Sequence, residues 1–60
     1  MGNTIWIHLK TGKFYVVVCK AQLEKDQTPM IVYRSLSTGR IWIRPEAEFM
    51  DGRFKEMAYD

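Results

Sequence analysis

Three times in 60 residues the chain repeats one short pattern, as Thr11-Gly12-Lys13-Phe14, Thr38-Gly39-Arg40-Ile41 and Asp51-Gly52-Arg53-Phe54. Each is a turn former, a glycine, a base and an apolar residue. Glycine supplies the positive φ of a reversing chain, and the apolar residue opens a new extended segment. Reversals this closely spaced leave room only for short antiparallel strands. The first two copies extend further, as Leu9-x-Thr-Gly-Lys-Phe-Tyr15-Val16 and Leu36-x-Thr-Gly-Arg-Ile-Trp42-Ile43. A duplicated hairpin would produce this, and convergent turn chemistry is the simpler origin.

Between the turns the residues read as strands. Arg40-Ile41-Trp42-Ile43-Arg44 alternates with period two and stops at Pro45, which marks a strand with two distinct faces. Strands are expected over 4–9, 13–23, 30–36, 40–44 and 53–57, with a polar loop from Glu24 to Pro29. Pro45-Glu46-Ala47-Glu48-Phe49 starts with proline and carries early acids, which suits one helical turn. The expected fold class is therefore all-β. Five strands form either a small SH3-like barrel or a strongly curved antiparallel sheet, with a short helical turn near 45–49.

Turn chemistry sets which residues share a face. A two-residue turn at Thr38-Gly39 would force β-branched Thr38 to positive φ, which it resists. A three-residue loop, Ser37-Thr38-Gly39, places only Gly39 there. It pairs Leu36 with Arg40, Arg34 with Trp42 and Val32 with Arg44. Arg34, Arg40, Trp42 and Arg44 then share one face, with Ile31, Tyr33, Ile41 and Ile43 in the core behind them. A one-residue slip would instead bring Tyr33 onto the Arg/Trp face and bury Arg34. The same rule at Lys10-Thr11-Gly12 pairs His8 with Phe14 and Trp6 with Val16. Both faces of that first hairpin are then nearly apolar, which points to a homo-oligomer.

Composition narrows the class. Sixty residues make one domain, 1–60, and a chain this short buries only about 60% of its unfolded surface. Cys19 is the single cysteine, so no disulfide forms within the chain. It reads as a small apolar core residue in a reducing compartment. His8 and Cys19 are too few to build a structural zinc site, and no metal or cofactor is expected. No segment approaches the roughly 20 apolar residues of a membrane span. Met1-Gly2-Asn3 resembles a myristoylation start, but Trp6 stands where Ser or Thr is wanted. A cytoplasmic location follows as an expectation. Net charge is only +2, yet from Gln27 to Pro45 there are arginines and no acids, whereas five acids follow from Glu46 on. That suits an anion site at the centre, or contact between the acidic tail of one subunit and the basic centre of the next.

Ile31-Val32-Tyr33-Arg34-Ser35-Leu36, Gly39, Ile41-Trp42-Ile43-Arg44-Pro45 and Phe49 resemble the signature of a short domain family of unknown function from bacteria and their phages. Its pattern runs V-V-Y-R-x-L … G … W-V-R-P … F. The upstream His8-x-Lys10, Gly12 and Phe14-Tyr15 are similar to its opening, with one residue inserted. The resemblance covers roughly residues 7–49 and implies a small β-barrel-like module without an established activity. The turn before Trp42 is shorter and more basic than the pattern, and Glu46 and Glu48 follow Pro45 in place of commonly apolar or mixed residues.

Catalytic chemistry finds no support in the residues. His8 has no nucleophile context, Glu46 and Glu48 sit in an acidic turn, and there is no phosphate loop. The chain is expected to be a non-enzyme. Its expected ligand-binding residues are Arg34, Arg40, Trp42 and Arg44, with Trp6 and His8 as a second wall. Guanidinium forks match phosphate oxygens and an indole face stacks a base. The expected partner is a small anionic or nucleotide-type ligand held by an oligomeric module, and a phage protein of this kind would suit sequestration of a host nucleotide signal. The alternatives are single-stranded nucleic acid and a protein partner, such as a host protein that the chain inhibits.

Overall fold

The structure, a computed structural model, describes residues 4–57. Met1-Gly2-Asn3 and Asp60 of the acidic tail lie outside the described residues. Five antiparallel strands form one sheet: β1 (Ile5–His8), β2 (Lys13–Gln22), β3 (Pro29–Ser35), β4 (Ile41–Pro45) and β5 (Phe54–Glu56). Their order across the sheet is β4-β3-β2-β1-β5. The sheet is open, with β4 and β5 as its two edges. Between them in sequence lie the helical turn α1 (Glu46–Glu48) and a wider turn, Phe49–Arg53, which breaks at Gly52 with φ 108°. The five expected strands and the helical turn are all present. Among the described residues no helix is long and apolar enough to cross a membrane.

The register differs from expectation by one residue in both hairpins. Tyr33, not Arg34, stands opposite Trp42, and Arg34 stands opposite Ile41. In the first hairpin Trp6 pairs with Tyr15 and His8 with Lys13. The cause is a four-residue loop in each place, Leu9-Lys10-Thr11-Gly12 and Leu36-Ser37-Thr38-Gly39. The glycine N–H closes each loop on the carbonyl four residues back, from Gly12 to His8 at 2.7 Å and from Gly39 to Ser35 at 2.8 Å. Gly12 and Gly39 take φ of 74° and 77°. The threonine hydroxyl accepts the N–H two residues on, Lys13 at 3.4 Å and Arg40 at 3.2 Å. Each leading leucine stays tied to the sheet, with Leu9 N–H donating to the Arg53 carbonyl and Leu36 N–H to that of Phe14. The repeated Leu-x-Thr-Gly is thus one loop used twice. In the second copy the buried Ser35 hydroxyl also accepts the Thr38 N–H at 3.3 Å.

Directly opposite residues share a face, so one face carries Trp6, His8, Tyr15, Val17, Ile31, Tyr33, Trp42, Arg44 and Phe54. The core lies on this inner face. Ile31, Tyr33, Phe49 and Phe54 form its buried cluster, with Trp6, Tyr15 and Val17 packed around them. The turn after β4 drops Phe49 onto the sheet until no surface remains exposed. Phe49 stacks on Phe54 at 4.3 Å and 12°. The edges of Trp6 and Tyr33 meet it at 5.0 and 5.2 Å.

The outer face reverses several expectations. Ile41 and Ile43, expected in the core, are 58% and 55% exposed, because the slip turns them away from the aromatic cluster. Arg34 lies on this face between Val16 and Ile41 and is exposed, not buried. Cys19 is exposed as well. A bulge between Val17 and Cys19 inserts Val18 into β2 and shifts the pairing beyond it, which leaves both Val18 and Cys19 turned outward.

Two measurements check this architecture. Phe49→Ala removes the ring that fills the inner face and should cost about 3–5 kcal/mol in urea unfolding. In a Cys19→Ser background, Arg34→Cys with Ile41→Cys should form a disulfide on oxidation, because a non-hydrogen-bonded pair brings the two side chains close. Arg34→Cys with Trp42→Cys, which the three-residue loop would favour, should not.

Candidate functional site

A cleft of about 230 Å³ opens on the inner face at the β4 end of the aromatic cluster. Tyr33 and Phe54 form its floor. His8, Thr11 and Tyr15 make one wall, and Trp42 and Arg44 on β4 make the other. Of the six expected binding residues the structure brings three together here: His8, Trp42 and Arg44. Arg34 faces the opposite side of the sheet, Arg40 is an exposed residue ahead of β4, and neither lines the cleft. Trp6 belongs to the core, with its indole N–H donating to the Thr4 hydroxyl at 3.0 Å and its ring packed on Phe49. Tyr33, Tyr15, Phe54 and Thr11 were missed. The pattern Tyr33-Arg34 was legible, but the assumed loop length put the tyrosine on the wrong face.

Arg44 is held in place from three sides. Its Nε donates to the Tyr33 hydroxyl at 3.2 Å, its guanidinium lies 5.4 Å over the Phe54 ring, and one terminal nitrogen is 3.7 Å from Glu48. The Tyr33 hydroxyl is the largest influence on the guanidinium and raises its pKa against partial burial, with Glu48 adding to the rise. Arg44 is therefore a fixed cation. The segment from Gln27 to Pro45 holds no acid of its own, but the helical turn folds back to bring Glu48 beside Arg44. Glu46 meets Lys20 of β2 at 3.5 Å in the same way. Glu46, Glu48 and Asp51 thus each meet a base of their own chain.

The polar groups of the cleft are mostly donors. Tyr33 accepts from Arg44 and keeps its own hydroxyl proton to give. His8 Nδ1 lies 3.1 Å from the Thr11 hydroxyl, which suits the tautomer with its proton on Nε2. His8 also rests edge-on against Phe54 at 4.8 Å, which fixes the plane of its ring. No carboxylate lines the cleft. Trp42 is 47% exposed on the rim, which leaves an indole face open to stacking. Among the described residues no group of three or more His, Cys, Asp or Glu converges as a metal site would require.

Tyr33→Phe keeps the ring packing and removes the acceptor of Arg44 Nε. It should lower stability by about 1 kcal/mol and speed exchange of the Arg44 Nε proton measured by NMR, with the sheet's amide shifts otherwise preserved.

No curated protein and no solved structure matches the chain. The model of one domain family, described as "Protein of unknown function (DUF1653)", matches residues 4–58, which includes every residue of the cleft. The chain belongs to this family of small domains of unknown function.

Proposed function

We propose that the domain is a non-catalytic binding module whose inner-face cleft takes one planar ring bearing a single anionic group, as in a nucleoside monophosphate. The observation that carries this reading is the pairing of a fixed Arg44 with an open Trp42 face across an aromatic floor. A base stacked on an aromatic side chain gains about 1–3 kcal/mol. A phosphate meets Arg44, the Tyr33 hydroxyl and the His8 ring, all of them donors. Size limits the ligand. At about 230 Å³ the cleft is smaller than the roughly 300 Å³ at which sites for drug-sized ligands begin. It suits a mononucleotide better than a dinucleotide. With Arg34 and Arg40 outside the cleft, it offers one guanidinium and not the three that the sequence suggested. A role in sequestering a host nucleotide signal is compatible with such a site and requires a mononucleotide signal.

Titration with adenosine and guanosine monophosphates, followed by amide NMR, tests the reading. Shifts are expected at Tyr33, Trp42 and Arg44, with weaker binding of the matching nucleosides. Trp42→Ala should weaken binding about tenfold, in line with a stacking loss of about 1–3 kcal/mol. The affinity should fall with salt at a slope near one unit, as for one neutralised phosphate. A slope of several units with oligonucleotides would favour single-stranded nucleic acid instead. The absence of any nucleotide-induced shift at the cleft would sink the proposal.

A further inference from the structure

Among the described residues unpaired backbone groups lie along the edge strands β4 and β5 and on the β1 side of β2 beyond Val17, and the two edge strands are built differently. β5 is three residues long, and two of them, Lys55 and Glu56, are charged. Short charged edges discourage pairing. β4 is five residues long, and its first three, Ile41-Trp42-Ile43, carry no charge. The Ser35 N–H donates to the Arg40 carbonyl at 2.9 Å, which makes that pair hydrogen-bonded and fixes the alternation along the strand. Trp42 and Arg44 turn their backbone groups inward to β3. Ile41 and Ile43 turn theirs out to the free edge, where no other described residue meets them.

We propose that β4 pairs antiparallel with β4 of a second copy of this chain, centred on Ile43, to give a two-fold dimer with one continuous ten-stranded sheet. The centre follows from the charges. With Ile43 opposite Ile43, Trp42 stands opposite the second copy's Arg44, and two positions further out Arg40 comes level with Glu46 at the start of the second copy's α1. The guanidinium meets an indole on the inner face, and the outer pair is an attractive ion pair. Centring the contact on Trp42 would set Arg40 against Arg44 twice, placing like charges opposite one another. The Ile43 centre also uses the free backbone groups. Ile43 exchanges both of its hydrogen bonds with its counterpart, and each Ile41 N–H donates to the other copy's Pro45 carbonyl, an acceptor that proline retains. The contact is self-complementary, as a two-fold interface requires. It sets the two clefts side by side on one face, yet it does not depend on either holding a ligand.

Light scattering on the ligand-free full chain tests the proposal. The expected mass is twice the 7.1 kDa of one chain, reverting to one chain on dilution. Ile43→Pro removes only an outward N–H, a change that edge strands tolerate. It should give a monomer with the strand signal of circular dichroism retained. Should that variant fail to fold, charge reversal decides the matter. Arg40→Glu or Glu46→Arg alone should raise the dimer dissociation constant about fivefold through two altered charge pairs, and the double reversal should restore it. A monomer at every concentration would overturn the proposal. So would a dimer indifferent to both Ile43→Pro and the charge reversals.

Discussion

Everything on the inner face depends on the stack of Phe49 on Phe54 above Tyr33. A chain of 60 residues has little apolar area to bury, and this one concentrates it in rings. Five aromatic side chains from β1, β2, β3, β5 and the turn after β4 meet within ring distances of 4.3–5.8 Å. Edge-to-face and offset pairs contribute about 0.5–1.5 kcal/mol each beyond their area. Phe49 comes from the turn between β4 and β5. It closes the open inner face that a five-stranded sheet with unpaired edges would otherwise present to water.

That packing also determines what the site can be. Tyr33 serves two neighbours at once: its ring rests on Phe49 and Phe54, and its hydroxyl accepts from Arg44. The helical turn that delivers Phe49 delivers Glu48 to the same guanidinium. Arg44 is thus fixed by the elements that complete the core, and a cation so held needs little reorganisation to receive an anion. A rigid arginine beside an open indole is a consequence of closing a small core with rings, not an addition to it.

The strands, the five-stranded all-β layout and the helical turn at Pro45 were legible because they rest on local signals: period-two alternation, glycine after a turn former, proline before acids. Register was not. Whether a hairpin loop holds three residues or four depends on contacts that the segment does not contain. Here they are the Leu36 N–H on the Phe14 carbonyl and the Leu9 N–H on the Arg53 carbonyl. The twice-written Leu-x-Thr-Gly was the available clue. Read as a single loop type it makes leucine part of the turn, which moves Tyr33 inward and Ile41 outward together. Arg44 and Trp42 keep their shared face under either register because both lie on the same strand. Arg34 depends on pairing and lost its place for that reason.

The slip also explains why β4 looks the way it does. Its isoleucines were natural candidates for a core, and a strand that buried them would have an ordinary polar outer face. Instead, Tyr33 occupies the inner face opposite Trp42, the isoleucines face out, and their backbone groups lie along a free edge. Alternation then divides the strand into two independent surfaces. Trp42 and Arg44 present side chains to the cleft while their backbone is tied to β3. Ile41 and Ile43 present backbone to the edge and apolar side chains to the outer face. The backbone bonds at the edge use atoms that the cleft does not, while the same pairing brings each Trp42 beside the second copy's Arg44 at the rim of the cleft.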